Sequence, residues 1–241
     1  MCFTIEVHLT RKAIEKRFSV DTSALYDFDF NYFYKAFNNP LIPVIDQHDP
    51  EQVKLSQWGL IPSWASERST AEKIRKGTYN ARSESLSEKP SFREAFYRGR
   101  CLVIAHGFYE WQLVNGIRVP WYIRLKNNAP FVFAGLSDVW MDPESGQEIH
   151  TFTIVTTKAN PLLEKIHNTK KRMPVILRPE DERQWLSASS PPETAGQLLL
   201  PFDQDELHAH TISPRISGKD ARPDDPTLIN PYDYPVSGSL F

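Results

Sequence analysis

Short hydrophobic runs, rather than long amphipathic stretches, dominate the chain. Partial alternation or continuous apolar residues predict strands over residues 3–9, 41–45, 53–60, 101–105, 111–114, 119–125, 130–136, 149–156 and 173–177. Helical spacing predicts helices over residues 11–18, 91–97, 159–167 and 179–186, the first of them capped by Thr10. Asn115-Gly116 lies between two predicted strands and is the strongest short signal for a two-residue hairpin turn.

Other segments are less regular. Residues 21–40 are rich in Asp and aromatic side chains and fit either a packed loop or a short helix. Beyond about residue 200 the chain is rich in Pro and Asp, which favours an extended segment packed on the domain. We therefore expect an α+β fold of one domain, residues 2–235, with a mainly antiparallel barrel-like β core, short peripheral helices and a loose end at residues 236–241.

Composition limits the function classes. The 241 residues, 40% of them hydrophobic, suffice for one medium-sized domain with a real core. The 28 Lys and Arg against 30 Asp and Glu give a net charge of −2, so nucleic-acid binding would require a local basic cleft. The N-terminus lacks a basic region followed by an apolar run, and no apolar stretch approaches 18 residues, so we expect a cytoplasmic protein without a membrane span.

Only two cysteines are present, Cys2 and Cys101, without a Cys/His cluster, so neither a disulfide scaffold nor a metal site is expected. If Met1 is removed, Cys2 carries an α-amine of reference pKa about 7.7 beside a thiol of about 8.5. The amine attacks an aldehyde to give a Schiff base, and the thiol then closes a five-membered ring. The alternative is a small second residue without a catalytic role.

Three further clusters contain candidate chemistry, each beside a structural alternative. In the polar segment Gly77–Glu84, between two helical stretches, Asn80 can form hydrogen bonds and Arg82 offers two parallel donors to a phosphate. The alternative is a solvated loop with surface ion pairs. Glu110 lies among aromatic residues in GFYEW, where desolvation suits a general acid or base, unless its carboxylate reaches water. His167 stands at a helix end, where it either moves a proton or complements the helix dipole.

Basic and aromatic residues suggest a nucleic-acid interface. The cations Lys170, Lys171 and Arg172 follow His167 and could hold phosphates. Trp58 and Trp64 bracket a loop containing Pro62, and aromatics beside a basic groove stack on single-stranded bases. Core packing is the alternative for both tryptophans.

Taken together, these segments resemble the SOS-response-associated peptidase (SRAP) family over roughly residues 1 to 235. The matching pieces occur in the family order and are Met1-Cys2, WGLIPSW at 58–64, NARSE at 80–84, GFYEW at 107–111, FAGL at 133–136, TIVTTKAN at 153–160, and IH with RMPVIL between 166 and 177. Each motif alone is weak, but their order and spacing together are specific.

The resemblance implies a sensor of abasic sites in single-stranded DNA, in which the N-terminal cysteine forms a thiazolidine crosslink with the ring-opened sugar. We expect a monomer, because nothing in the sequence indicates an obligate oligomer, and we expect no cofactor. The resemblance also implies that Cys2 is the nucleophile, Asn80 holds the site and Glu110 orients the N-terminus and moves protons. His167 would assist sugar opening and crosslink reversal. The DNA-binding residues implied are Thr156, which would line the same pocket, and Arg82, Arg172, Trp58, Trp64, Lys170 and Lys171.

The sequence departs from the family pattern in three places. Cys2-Phe3-Thr4 replaces the usual Cys-Gly-Arg, which removes a phosphate-binding arginine. Ile104-Ala105-His106 replaces a segment that usually carries Pro and an Asp or Asn, which either changes the loop beside Glu110 or adds His106 to the site. Residues 168–171 lengthen the link before Arg172, and the added lysines are expected to supply basic charge.

Two other functions use the same residues. An N-terminal-cysteine hydrolase or self-processing peptidase would also use Cys2, but it needs an oxyanion hole and an acyl substrate. A non-catalytic single-stranded DNA-binding module would not need Cys2. Replacing Cys2 separates these functions from the crosslinking one.

Overall fold

Residues 2–234, the part of the chain that the computed structural model describes, form twelve strands and six helices. The strands are β1 Thr4–Glu6, β2 Tyr34–Lys35, β3 Leu41–Asp46, β4 Asp49–Trp58, β5 Asn80–Arg82, β6 Arg100–Ala105, β7 Gly107–Val114, β8 Ile117–Leu125, β9 Phe131–Met141, β10 Glu148–Lys158, β11 Arg172–Pro174 and β12 Leu207–Thr211. The helices are α1 Arg11–Phe18, α2 Arg68–Arg75, α3 Pro90–Arg98, α4 Pro161–Ile166, α5 Pro179–Leu186 and α6 Pro192–Gly196.

Five of these strands close into a barrel. β10, β4, β3, β6 and β9 follow one another, and β9 pairs again with β10, so the ring has no free edge. The pairing of β10 with β4 is parallel, whereas the other four pairings in the ring are antiparallel. A second sheet has the order β12-β8-β7-β1-β2. The predicted α+β fold with a barrel-like β core and short helices is therefore confirmed.

The centre of the barrel explains the continuous apolar run of β6. All six of its residues are buried, because both faces of this strand are covered. Arg100, at its start, is fully buried and donates hydrogen bonds to the backbone oxygens of Trp185 (2.7 Å), Phe96 (2.9 Å) and Ser187 (2.6 Å). This cage of carbonyl groups compensates the guanidinium for its lost water and ties α3 and the end of α5 to the barrel.

Several predicted elements match the structure closely. Helices α1 and α5 have the predicted bounds, and Thr10 accepts a hydrogen bond from the backbone N–H of Ala13 as an N-cap. The Asn115-Gly116 turn is also confirmed, with positive φ values of 50° and 80°, as a type I′ hairpin requires.

Other segments differ from the prediction or refine it. Residues 21–40 contain two short 3-10 turns, Ser23–Leu25 and Ala36–Asn38, and strand β2. The segment Gly77–Glu84 is more than a solvated loop, because it contains β5, which pairs in parallel with β10. The segment beyond residue 200 does pack on the domain, but it adds strand β12 to the edge of β8, which the weak periodicity did not predict. The predicted loose end at residues 236–241 lies outside the described residues.

Candidate active site around Cys2

The site lies where the two sheets meet. The C-terminal half of β10 has β5 on one side and β11 on the other, so that Thr156 is paired with both Arg82 and Pro174. In the second sheet, β1 pairs with β7 and places the chain just after Cys2 beside the strand that carries Glu110. His167 is the C-terminal cap of α4. Three segments distant in the chain, which carry Asn80, Glu110 and His167, therefore come together around Cys2.

Asn80 makes a direct contact with Cys2. The Cys2 residue is fully buried, and Asn80 Nδ2 donates a hydrogen bond to its backbone oxygen at 2.9 Å. The Cys2 Sγ atom lies 3.7 Å from the backbone oxygen of Thr4, which it approaches as a weak donor. Asn80 Oδ1 is also buried and has no hydrogen-bond partner within residues 2–234. The asparagine thus fixes the Cys2 backbone and keeps an acceptor beside it.

Burial and a neighbouring carboxylate keep the Cys2 thiol protonated. Burial raises the pKa of the Cys2 thiol well above its usual range, and the negative charge of Glu110 raises it further. A thiolate is the stronger nucleophile, but forming one here would leave a charge without water. In this environment the thiol is therefore suited to a later step, after another group has started the reaction.

Glu110 and His167 form a buried acid–base pair. Their side chains are almost fully buried, and His167 Nδ1 lies 3.9 Å from Glu110 Oε1. The same Nδ1 lies 2.8 Å from the backbone oxygen of Arg172, which can only accept, so Nδ1 carries the proton. Burial raises the pKa of Glu110, whereas the positive charges of His167 and Arg118 oppose the shift. Glu110 is accordingly suited to hold a proton at a higher pH than an exposed carboxyl group and to release it to a neighbouring group.

Arg172 is held by the protein itself. Its Nη1 and Nη2 atoms donate to the two carboxylate oxygens of Glu84 at 2.8 and 2.9 Å, and Nη2 also donates to the backbone oxygen of Thr156 at 2.6 Å. The hydrogen bonds to Arg172 hold the pKa of Glu84 below its usual value. Since Nη1 and Nη2 already donate to Glu84, Arg172 could contact a phosphate only through its remaining N–H groups or after releasing Glu84.

Thr156 lies behind Arg172. Its residue is fully buried, and its hydroxyl donates to the backbone oxygen of Ala81 at 3.2 Å. The prediction that Thr156 contacts DNA is therefore corrected, because its side chain supports Arg172 and joins β10 to β5 instead.

The other predicted cations are exposed. Arg82 lies at the end of β5, two residues after Asn80, and its side chain faces solvent. Lys170 is exposed beyond α4, and Lys171 has a positive φ of 51° and forms a 2.6 Å ion pair with Glu164. The longer link after His167 therefore forms a tight turn, in which Lys171 is partly neutralised.

The two tryptophans have different environments. Trp58 is fully buried, donates from Nε1 to the backbone oxygen of Tyr79 at 2.8 Å and stacks on Phe152. Its predicted role in stacking on DNA is corrected, because no face of this ring is accessible. Trp64 is 50% exposed in the loop before α2, and its Nε1 lies 3.4 Å from the backbone oxygen of Pro90. Its exposure leaves a face of the ring open to solvent, and the stacking role of Trp64 stays a prediction.

The positions that depart from the family pattern are also explained. Thr4, which stands where the family usually has a phosphate-binding arginine, is buried in β1. Its side chain is therefore not exposed for contact with a phosphate. His106 lies 3.5 Å from Glu6 and 3.1 Å from the backbone oxygen of Asn128, and Tyr122 also donates to Glu6. His106 thus belongs to a separate polar cluster on the second sheet rather than to the pair of Glu110 and His167.

One cation near the site was not predicted from the sequence. Arg118 lies on β8 opposite Leu113 of β7. Its positive charge opposes the rise in the pKa of Glu110 that burial causes. Only the register of this hairpin brings Arg118 near the carboxyl group, so spacing along the chain gave no signal. The sequence does place the hairpin turn itself, at Asn115-Gly116.

The described residues contain neither a cluster of metal ligands nor a membrane-spanning helix. Within residues 2–234, no group of three or more His, Cys, Asp or Glu side chains is arranged to hold a metal ion. None of the helices described above has the length and apolar character needed to cross a membrane.

The fold agrees with the comparisons to known proteins. Residues 1–218 match the family described as SOS response associated peptidase (SRAP), and the chain belongs to this family. The predicted family resemblance is confirmed.

Particular relatives can then be named. The abasic site processing protein YoqW of Bacillus subtilis (strain 168) is 41% identical over 175 residues, which cover 72% of this chain and 75% of YoqW. The abasic site processing protein HMCES of Xenopus tropicalis is 33% identical over 172 residues, covering 63% of this chain and 50% of HMCES. A crystal structure of a protein from Bacteroides thetaiotaomicron matches with a TM-score of 0.91 and 35% sequence identity. The matched region covers 96% of this chain and 100% of the Bacteroides chain.

Proposed function

We propose that this protein processes abasic sites in single-stranded DNA by forming a covalent crosslink through Cys2. The observation that carries the proposal is the convergence on Cys2 of Asn80, Glu110 and His167, three residues from separate segments. The names of the relatives YoqW and HMCES, both abasic site processing proteins, support the same substrate.

The chemistry begins with removal of Met1, which frees the α-amine of Cys2. The neutral amine attacks the aldehyde of the ring-opened sugar, and loss of one water gives an imine. The buried thiol then adds to the imine carbon. A carbon–sulfur bond forms and the thiol proton passes to the imine nitrogen, which closes a thiazolidine ring.

The surrounding residues have distinct roles in these steps. Glu110, whose pKa is raised by burial, protonates the departing oxygen and accepts a proton from the amine. His167 assists opening of the sugar and reversal of the crosslink, while its hydrogen bond to the Arg172 backbone fixes the ring. Asn80 holds Cys2 in position, and its Oδ1 is an acceptor that the freed amine can use.

DNA binding relies on a local surface, since the net charge of −2 gives no general attraction to phosphate. Arg82, Lys170 and Lys171 are the exposed cations among the predicted residues, although Lys171 is paired with Glu164, and Trp64 is the exposed aromatic. A single-stranded substrate avoids the cost of opening a duplex.

The test is a denaturing gel of the purified protein with a single-stranded oligonucleotide that carries one abasic site. We expect a heat-stable shifted band with the wild type, and no such band with Cys2→Ala or with an intact-base oligonucleotide. Absence of the band from protein that mass spectrometry shows to begin at Cys2 would overturn the proposal. Hydrolysis of an acyl substrate, or DNA binding alone, would then have to explain the site.

A further inference from the structure

Three aromatic side chains form a cluster next to Cys2. Phe3 and Phe37 are stacked, with ring centroids 4.9 Å apart and an angle of 28° between the planes. Tyr79 packs edge-on against both, at 5.4 Å from Phe37 and 6.4 Å from Phe3. We call these three residues the aromatic platform.

The platform is attached to the site through the backbone. Phe3 directly follows Cys2, and Tyr79 directly precedes Asn80, which donates to the Cys2 backbone oxygen. Neighbouring Cα atoms are about 3.8 Å apart, so both rings start from positions one residue away from the site. The turn that carries Phe37 is joined to Phe3 by a hydrogen bond from the Ala36 N–H to the Phe3 oxygen, at 2.9 Å.

Phe37 is a large aromatic ring that faces solvent from a fixed position. It is 63% exposed although it packs on Phe3, so one side of the ring is covered and much of the rest is open. The adjoining Asn39 accepts a hydrogen bond from the Tyr79 hydroxyl at 3.1 Å, which holds the 3-10 turn against β5. A supported aromatic ring with an open side is the arrangement on which single-stranded bases stack.

An abasic nucleotide presents no base, so the protein must hold its neighbours. Phosphate contacts are one means, but Arg172 is paired with Glu84 and Lys171 with Glu164. Stacking on an adjacent base is the other means, and it requires no charge. The platform begins at the residue that follows Cys2 and presents an exposed ring to solvent.

We propose that Phe37, supported by Phe3 and Tyr79, stacks on the nucleobase adjacent to the abasic nucleotide. This proposal rests on the proposed function, because the position of the base is defined by the sugar at Cys2. It adds a base-binding subsite directly beside Cys2, in addition to the stacking predicted for Trp64.

The experiment measures binding of the full chain to single strands that carry a tetrahydrofuran abasic analogue, which has no aldehyde. Three strands are compared by fluorescence anisotropy: one with bases on both sides of the analogue, one without the 5′ neighbouring base and one without the 3′ neighbouring base. We expect Phe37→Ala to weaken binding of the first strand by about 5- to 100-fold. The loss should disappear with one of the other two strands.

Two variants serve as controls. Phe37→Trp retains a stacking ring and should bind as the wild type does. Tyr26→Ala removes an aromatic side chain that is 72% exposed and packs under Arg11, and it should leave binding unchanged. Because Phe37 is mostly exposed, thermal unfolding should show that Phe37→Ala remains folded.

The outcomes separate this proposal from the proposed function. Equal losses with all three strands, or no loss, would overturn the stacking subsite while leaving crosslinking by Cys2 in place. Failure of the wild type to crosslink a true abasic strand would overturn the proposed function. The binding comparison would still decide whether Phe37 recognises the neighbouring base.

Discussion

Replacing Asn80 with Ala tests whether positioning of Cys2 drives the reaction. The substitution removes the 2.9 Å hydrogen bond from Nδ2 to the Cys2 backbone oxygen. Because Cys2 is fully buried, its oxygen loses a donor that water does not readily replace. Leaving a buried acceptor unsatisfied costs about 1–3 kcal/mol. If the same free energy is added to the activation barrier when the amine is held for attack, the crosslinking rate falls by about 5- to 150-fold.

The assay is the single-turnover rate of crosslinking at saturating abasic single-stranded DNA. Saturation removes any effect on binding, and thermal unfolding confirms that the variant is folded. Asn127→Ala is the matched control, because it removes an asparagine that accepts a 3.0 Å hydrogen bond from the backbone of Ala129 in an exposed loop. A rate for Asn80→Ala within twofold of the wild type, in protein that begins at Cys2, would refute the reasoning.

Three further predictions concern proton transfer, stability and charge. The wild-type crosslinking rate should rise with pH as the amine loses its proton, and it should fall as the pH passes the raised pKa of Glu110. The Glu110→Gln variant should crosslink about 10²- to 10⁴-fold more slowly, and its rate should rise with pH without the later fall. An unchanged fall in that variant would assign the proton to another group. Arg100→Met should lower the free energy of unfolding by about 3–5 kcal/mol in denaturant titrations, because it leaves buried carbonyl groups unpaired; a change below about 1 kcal/mol would contradict the role of this cage. Lys170→Ala should reduce the slope of log affinity against log salt by about 1, and Lys171→Ala by less, because Glu164 already pairs with Lys171. Equal slopes for both variants and the wild type would exclude these lysines from the phosphate interface.

The sequence predicted the elements that depend on local signals. Thr10 marks the start of α1, and Asn115-Gly116 forms the expected hairpin, because caps and tight turns depend on a few adjacent residues. Strand β5 was missed because its three residues have no periodicity of their own. They are extended because β10 supplies the pairing partner.

The candidate site was predicted unevenly for the same reason. Motifs shared with the family located Asn80, Glu110 and His167, which the fold brings to Cys2. The same motifs could not distinguish the buried Trp58 from the exposed Trp64, because both lie in the single motif at residues 58–64 and only packing separates them.

Sequence patterns could not predict the aromatic platform either. Phe37 lies in the aromatic-rich segment 21–40, which is ambiguous between loop and helix. Its contact with Phe3 and Tyr79 joins three segments far apart in the chain. Such a contact follows from the fold and from no local signal.

Mass spectrometry of the crosslinked N-terminal peptide tests most directly whether Cys2 forms the crosslink. We expect a peptide that begins at Cys2 and carries the abasic sugar with loss of one water, formed without a reducing agent. We also expect that Cys2→Ala, which keeps an N-terminal amine but lacks the thiol, gives a stable adduct only after borohydride reduction of the imine. An adduct on any other residue, or an equally stable unreduced adduct with Cys2→Ala, would contradict this role of Cys2.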